Sequence, residues 1–485
     1  MLDLATKALE ASLRSGVSYA DVRLVESRDR TLSTKNGRPG TVMSSESIGL
    51  GIRVIAEGCW GFAATDDLTP RGIETAATLA ISIARSSAMA KKRDVVLAPE
   101  EKYVATWSSR CEIDPFSLSV DEQLGYLLKV DAELRHIAGV TMSETSFHFD
   151  RTRQVFASSL GSLIDQTRTM TGAGMAALSF KEEDIQKRSY PNSFGGQYQL
   201  RGYELIHELK LLENAPRVAE EAVALHSADQ CPEGEFNLIV DGSQLGLQIH
   251  ESIGHPIELD RVLGSEANYA GMSFLTLDKL NHLRYGSEIV NAVCDAREEH
   301  GPGLGTFAFD DEGVPAHGTD IIRNGLFVGY MTSRETASAI GQDRSNGTMR
   351  ANGWNRIPLI RMTNVSVLPG EQSLDEVMGG VDHAIYMETN KSWSIDDKRY
   401  NFQFGCEIGW EIRDGKRIRM LKNPTYSGIT TEFWNSCDAI ASREHWTLWG
   451  VPNCGKGQPE QVMGTGHGAS PSRFRNIKIG AGYGS

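Results

Sequence analysis

The stretch Glu235-Phe-Asn-Leu-Ile-Val-Asp-Gly-Ser-Gln-Leu-Gly-Leu-Gln-Ile-His-Glu-Ser-Ile-Gly-His255 joins a predicted strand to a predicted helix. The β-rich run over residues 235–241 predicts the strand, and Ser243 is a suitable N-cap for the helix. Because Leu245, Ile249 and Ile253 recur at every fourth residue, one face of this helix should be buried. The helix would therefore carry the residues at its end into a fixed, half-buried position.

The end of this helix, His250-Glu-Ser-Ile-Gly-His255, offers two imidazoles and a carboxylate, the minimum set for zinc-assisted hydrolysis. In the common HExxH pattern the two histidines are four residues apart and share one helix face. Here they are five residues apart, which separates them by roughly 140° on an ideal α-helix at about 100° per residue. A π-type turn would bring both to one side, and Gly254 and Pro256 suit such a distorted helix end. The alternative is an ordinary helix end with two solvated histidines.

A chain of 485 residues is too long for one core, so we expect two domains, residues 1–230 and 231–485. The net charge of −14 argues against nucleic acid as a partner, because a phosphate backbone requires a basic face. The acid at position 3 argues against a signal peptide, and the lack of long apolar stretches argues against a membrane span. Seven cysteines without framework spacing predict reduced thiols in a cytoplasmic protein.

Residues 1–230 alternate between helical and strand patterns, which predicts an α+β domain of helices on a largely antiparallel sheet. Asn36-Gly37 predicts a hairpin, and Thr69 and Ser119 predict helix starts, the second through a capping box with Glu122. From about Lys181 to Gln230 the pattern is helical. The fold class predicted for the whole chain is α+β.

Residues 231–485 contain hairpin signals that predict a β-rich barrel or sandwich, namely Asn324-Gly325, Pro369-Gly370 and Asp414-Gly415. The glycines at 301, 303 and 305 have the wrong spacing for a phosphate loop, so they predict a turn, with a strand over residues 306–309. The acidic run Asp310-Asp-Glu312 could bind a cation, although a solvated turn is the better interpretation.

A catalytic zinc needs three protein ligands and one open position, so the HESIGH stretch lacks one ligand. The candidates are the cysteines, the other histidines and nearby acids such as Glu258. Cys406 lies on the apolar face of a predicted strand and is interpreted as a core cysteine. Cys454 lies in the glycine-rich run over residues 450–459, which we expect to be a loop without a role in the core, and Lys456 would favour its thiolate.

Three features together resemble the TldD half of the TldD/PmbA family: the HExxxH motif, the NCGKGQP run over residues 453–459 and the Gly466-His-Gly468 motif. Arg361-Met-Thr-Asn364, Asp310-Asp-Glu-Gly313 and Tyr19-Ala-Asp-Val-Arg23 extend the resemblance over essentially the whole chain. It implies a cytoplasmic zinc metallopeptidase whose metal ligands match His250, His255 and Cys454 and whose catalytic residue matches Glu251. It also implies a dimer, formed with a PmbA (TldE) subunit or with a second copy, that cuts unfolded peptides.

In that chemistry Glu251 would act as general base on a zinc-bound water, and a peptide would bind as an added strand. Arginine or histidine side chains and glycine amides all remain candidates for stabilising the oxyanion. Two other functions remain open. One is a zinc-containing peptide-binding subunit without turnover, and the other is a regulator directed at DNA gyrase, as an old name of the family suggests.

Overall fold

A long, largely antiparallel sheet forms the first half of the protein. The computed structural model describes residues 1–14 and 16–480. The elements of this half are, in order, α1 (Leu2–Ser12), β1 (Val17–Lys35), β2 (Arg38–Ala56), β3 (Cys59–Thr65), α2 (Pro70–Ser87), β4 (Val104–Ser108), α3 (Val120–His136), β5 (Met142–Ser158), β6 (Leu163–Lys181), β7 (Asp184–Tyr190), β8 (Gln197–Gln199), α4 (Glu204–Leu209) and α5 (Leu211–Ala224).

The strand order in this sheet is β3-β2-β1-β5-β6-β4, with β7 and β8 also pairing with β6. All of these pairs are antiparallel except β4 with β6. Helices α1 and α2 cover one end of the sheet, and α3 and α5 cover the other end. Both groups pack on the same alternating positions of β1, represented by Leu24 and Leu32. The arrangement confirms the α+β prediction.

Local signals in this half are mostly confirmed. The chain reverses at Asn36 and Gly37, which both have positive φ, and Thr69 and Ser119 cap α2 and α3, the latter through the predicted capping box. The helical prediction from residue 181 onward is wrong over its first part, where β7 and β8 extend the sheet. The reason is a tight reversal at Glu182, also at positive φ, which folds β7 back along β6.

The second half is built around a closed five-stranded barrel. The elements of this half are β9 (Asp229–Gln230), β10 (Gly234–Val240), α6 (Gly242–Ile249), α7 (Leu259–Val262), β11 (Ala292–Asp295), β12 (Gly318–Arg323), β13 (Leu326–Phe327), β14 (Met349–Arg350), β15 (Leu359–Ile360), β16 (Val365–Val367), α8 (Leu374–Gly379), β17 (His383–Ile395), β18 (Asn401–Arg413), β19 (Lys416–Lys422), β20 (Thr425–Ile429), α9 (Thr430–Asn435), β21 (Cys437–Ile440), β22 (Thr447–Lys456), β23 (Gln461–Ala469) and β24 (Ser472–Ile479). The strand order in the barrel is β17-β10-β24-β20-β18, and the barrel closes by pairing β18 with β17.

Helix α6 follows directly from barrel strand β10 and is buried along its whole length. Leu245 and Ile249 belong to the main core together with barrel residues such as Phe404, as the apolar spacing predicted. The predicted N-cap, Ser243, is wrong by two residues. The cap is Asp241, whose carboxylate accepts the Ser243 backbone N–H at 2.9 Å, because the chain turns into the helix immediately after the strand ends.

The acidic run Asp310-Asp-Glu312 packs against the second face of the first sheet. It is buried, so the prediction that it is a solvated turn is wrong. Gln154 donates to Asp311 at 2.6 Å, and Arg53 lies 3.4 Å from Glu312. Backbone N–H groups, including that of Met349, satisfy Asp310. The burial is possible because each carboxylate has such partners, and the run therefore joins the two halves.

Other expectations for the second half have mixed outcomes. Asn324-Gly325 and Asp414-Gly415 form the predicted hairpin turns. Pro369-Gly370 instead leads from β16 toward α8, and residues 306–309 form no strand beyond a single bridge from Phe309 to Pro315. Within residues 1–14 and 16–480, no helix has both the length and the apolar character needed to cross a bilayer. The division of the chain at residues 230 and 231 stays a prediction.

Candidate metal centre

The helix that begins as α6 widens where the two histidines lie. Residues His250–Gly254 form a π-turn, in which the His255 N–H donates to the His250 carbonyl, and His255–Ile257 continue as a 3-10 turn. This i to i+5 hydrogen bond is the widened turn that the histidine spacing predicted. A Cβ at Gly254 would collide with the Met362 side chain, so a larger residue here would displace that side chain.

The π-turn brings the two histidines together with Cys454. One possible ligand atom from each of His250, His255 and Cys454 lies within 4.8 Å of the others, and all three residues are buried. The two imidazole rings are nearly perpendicular, with centroids 4.8 Å apart, and Cys454 Sγ lies 3.9 Å from His255 Nε2. The structure therefore brings together the three residues that the sequence motifs singled out.

Hydrogen bonds fix the tautomer of His250 through a third histidine. His467 Nδ1 lies 3.0 Å from the Val365 carbonyl, which can only accept, so Nδ1 must donate. Burial holds the pKa of His467 well below its usual value, so the ring is neutral and its Nε2 accepts. That nitrogen lies 2.8 Å from His250 Nδ1, which therefore carries a proton. The lone pair of His250 is left on Nε2, where a metal could take it.

Glu258 fixes the tautomer of His255 in the same way. Its carboxylate lies 3.1 Å from His255 Nδ1, so this nitrogen donates and Nε2 keeps the lone pair directed toward Cys454. Burial opposes ionisation of Glu258, but Lys456, His255 and Arg261 outweigh it, and its pKa lies well below the usual value. Glu258, which the sequence offered as a candidate for the third ligand, thus contacts the ring nitrogen of His255 that would not bind the metal.

Cys454 occupies a different environment from the one predicted. It is only 3% exposed, lies on β22 opposite Met463 of β23 and belongs to the main apolar core, so the prediction of a loop cysteine outside the core is wrong. The glycines around it concealed the strand because they weaken the alternating pattern. Lys456 is also buried, and its Nζ lies 2.8 Å from Asp260 and 3.5 Å from Glu258, so its charge is paired with carboxylates.

The surroundings of Cys454 nevertheless favour its thiolate. Burial raises the pKa of this thiol, but Arg361 and His255 outweigh that effect, and the net shift is downward. Arg361 is fully buried and donates to the Cys454 backbone carbonyl. By contrast, burial raises the pKa of Cys406 well above its usual value and that of Cys294 to about 11. Cys406 lies on β18 in the core, as predicted.

The donor set fits zinc. Burial lowers the pKa of His250 to about 4 and also lowers that of His255, so both imidazoles are neutral near pH 7 and their lone pairs are available. Two imidazoles and one thiolate are ligands that zinc accepts in catalytic sites, with a fourth position left for water or substrate. The residues behind the ligand candidates are the kind of support that holds such ligands in place.

Glu251 follows His250 on the π-turn and is 6% exposed. Its Oε2 accepts from Arg399 Nη1 at 2.8 Å. Within the described chain, its other oxygen accepts no hydrogen bond, so one oxygen is anchored and one is free for proton transfer.

Sequence reasoning assigned no role to His467, Thr465, Arg361 or Arg399. Two of them lie in motifs that carried the family resemblance, Gly466-His-Gly468 and Arg361-Met-Thr-Asn364, so a signal was present without a mechanism. Arg399 lies in the turn between β17 and β18 and belongs to none of the motifs. Its contact with Glu251 spans 148 positions of sequence.

Comparison with known proteins agrees with these features. Models of the PmbA/TldA metallopeptidase match the chain in three parts, domain 1 at residues 20–84, the central domain at residues 113–228 and the C-terminal domain at residues 233–481. A metalloprotease of Methanothermobacter thermautotrophicus is 29% identical over 467 residues, which cover 96% of each chain. A zinc metalloprotease TldD homolog of Saccharolobus solfataricus is 30% identical over 251 residues, which cover 52% of each chain.

Solved structures share the fold. TldE from Thermococcus kodakarensis superposes with a TM-score of 0.72 at 17% identity, over 99% of both chains. A Thermotoga maritima protein described as a candidate modulator of a DNA gyrase gives a TM-score of 0.76 at 18% identity, also over 99% of both chains. With three family models spread along its length, the chain belongs to the PmbA/TldD metallopeptidase family.

Proposed function

We propose that this chain is a zinc-dependent peptidase that hydrolyses unfolded or short peptides, with His250, His255 and Cys454 as the metal ligands. The observation that carries the proposal is the buried group of three donor atoms within 4.8 Å of one another. The names of its relatives, metalloprotease and zinc metalloprotease, support the same activity. When bound, zinc would supply Lewis-acid activation of a water molecule and of the scissile carbonyl.

Glu251 is the general base of the proposed reaction. Arg399 anchors one of its oxygens, and the other oxygen would accept a proton from the attacking water. The protonated carboxyl would then return that proton to the leaving amine, which makes the amine a neutral leaving group. Removal of this base typically costs about 10² to 10⁴ in rate.

The substrate would bind as an added strand, because hydrogen bonds to a sheet edge are indifferent to side chains. A cleft of about 320 Å³ lies between the first sheet and the β22–β23 hairpin, with His148 and Asp150 on one wall and Met463 and Gly464 on the other. Met463 pairs with Cys454 across the hairpin, so one wall residue of the cleft neighbours a ligand candidate, although the ligand candidates and Glu251 do not line the cleft themselves. We place the peptide in this cleft.

We further propose that the active form is a cytoplasmic dimer with a PmbA/TldE-like subunit or with a second copy of the chain. The similarity of this fold to TldE supports a pseudosymmetric pair, since two chains of one fold can share an isologous interface.

The test combines metal analysis with peptide cleavage. Purified protein, alone and mixed with a PmbA/TldE-like subunit, is assayed for zinc content and for cleavage of a quenched fluorescent peptide, with Glu251→Gln as the matched control. We expect one zinc per chain and cleavage that a chelator stops, zinc restores and Glu251→Gln lacks. One zinc per chain without cleavage in either mixture would instead favour a peptide-binding subunit.

A further inference from the structure

Arg399 is the cation in contact with the proposed base, and it reaches Glu251 from a separate element. It lies in the turn that joins β17 to β18, whereas Glu251 lies on the π-turn that follows α6. The side chains of Arg399 and Glu251 are 15% and 8% exposed. The ion pair is therefore enclosed, and its partners are held by two different parts of the barrel domain.

The turn that carries Arg399 is firmly built. The Asp396 carboxylate accepts the backbone N–H of Tyr400 at 2.8 Å, and the Thr430 hydroxyl donates to the Arg399 carbonyl at 2.9 Å. On the other side, the N–H groups of Met272 and Phe274 donate to this turn at 3.1 and 3.0 Å. The turn thus presents the guanidinium from a rigid support, as a positioning group requires.

The conformation of Arg399 is unfavourable for stability. Its φ of 65° lies in the left-handed region, which a non-glycine residue adopts at a cost. Its Nε is enclosed and has no hydrogen-bond partner among the described residues. Such costs concentrate at functional sites, where the surrounding structure maintains them.

The other buried cations and the third histidine near the site are committed elsewhere. Arg361 donates to the carbonyls of Gln461 and Cys454, and Arg350 donates to three backbone carbonyls, including that of Gly464. Both nitrogens of His467 are also engaged. Among these groups, Arg399 is the one that contacts Glu251.

We propose that Arg399 is a positioning residue that acts through Glu251. By holding Oε2, it limits the carboxylate to one orientation and leaves Oε1 to receive the proton of the attacking water. This inference rests on the proposed function. It assigns Arg399 neither to the metal nor to peptide binding, so both should survive its loss.

The experiment compares Arg399→Ala with Lys398→Ala in the zinc-loaded protein. Lys398 is the matched control, because it is the neighbouring cation on the same turn and its exposed side chain makes no hydrogen bond within the described structure. We expect kcat of Arg399→Ala to fall about 10- to 100-fold with KM and zinc content unchanged, since misplacing a reacting group has costs of this order. Lys398→Ala should match the wild type, Arg399→Lys should retain part of the rate, and added methylguanidine should partly rescue Arg399→Ala.

A second pair of variants tests whether Arg399 acts through Glu251. The double variant that combines Arg399→Ala with Glu251→Gln should have the same residual rate, and the same affinity for an uncleaved peptide, as Glu251→Gln alone. A crystal structure of zinc-loaded Arg399→Ala should show the Glu251 carboxylate in more than one orientation. An unchanged kcat, a loss of zinc, or a further loss of peptide affinity on Glu251→Gln would each overturn this role while leaving the peptidase proposal intact. A wild-type protein that cleaves no peptide, alone or with its partner, would overturn both.

Discussion

Replacement of His467 by alanine tests the support behind the metal ligands. The variant removes the group that accepts the His250 Nδ1–H at 2.8 Å and the donor to the Val365 carbonyl at 3.0 Å. Because His467 is buried and neutral, no unpaired charge is created. His250 is then free to adopt the other tautomer or to rotate, either of which withdraws the Nε2 lone pair from the metal position.

The expected loss can be stated as an affinity. Loss of a hydrogen bond to a metal-ligating histidine typically weakens metal binding by about 10- to 100-fold, which corresponds to about 1.4 to 2.7 kcal/mol. The assay is competition for zinc against a chromophoric chelator at pH 7.5, after circular dichroism has shown that the variant is folded. Thr465→Val is the control. Its hydroxyl lies 2.9 Å from His467 Nε2, but that nitrogen keeps His250 as a donor without it, so the affinity should change by less than about threefold. A folded His467→Ala protein with wild-type zinc affinity would show that His467 does not hold His250 in its metal-binding tautomer.

Three further predictions follow from the same geometry. Glu251→Gln should retain zinc while turnover falls by about 10² to 10⁴ or more, and loss of zinc by this variant in metal analysis would make Glu251 a ligand. Cys454→Ser should lose tight zinc binding and cleavage, whereas Cys406→Ala should keep zinc and lose about 1 kcal/mol of unfolding free energy in urea; the opposite pattern would place the third ligand on β18. Burial lowers the pKa of His250 to about 4 in the folded protein, whereas an ordinary histidine has a pKa of about 6.5. Between these two pH values the unfolded chain therefore binds one more proton than the folded chain. The metal-free protein should therefore lose roughly 3 kcal/mol of stability as the pH falls through that window. His250→Asn should remove this part of the pH slope, and an unchanged slope would contradict the assigned shift.

Local chemistry made much of the fold predictable. The turn at Asn36-Gly37, the capping box at Ser119 and the apolar spacing of α6 each depend on residues a few positions apart, and each is confirmed. The π-turn was also predictable, because two histidines five residues apart cannot share a face of an α-helix. At the metal site and at the junction of the two halves, where the sequence alone failed, the deciding contacts came from distant parts of the chain.

Cys454 illustrates that limit. Its neighbouring glycines predicted a loop, but the segment pairs with β23 as a strand, and this pairing buries the thiol. The acidic run Asp310–Glu312 read as solvated because its partners, Gln154 and Arg53, lie far away in sequence. Arg399 gave no signal, since its partner Glu251 precedes it by most of the barrel domain.

X-ray absorption at the zinc edge of the purified, zinc-loaded protein identifies the metal ligands directly. We expect one sulfur at about 2.3 Å and two imidazole nitrogens at about 2.0 to 2.1 Å, with a light atom in the remaining position. The sulfur shell should disappear in Cys454→Ser and persist in Cys406→Ala. A zinc bound only by nitrogen and oxygen in the wild-type protein, or a sulfur shell that survives Cys454→Ser, would contradict the assignment of His250, His255 and Cys454 as the metal site.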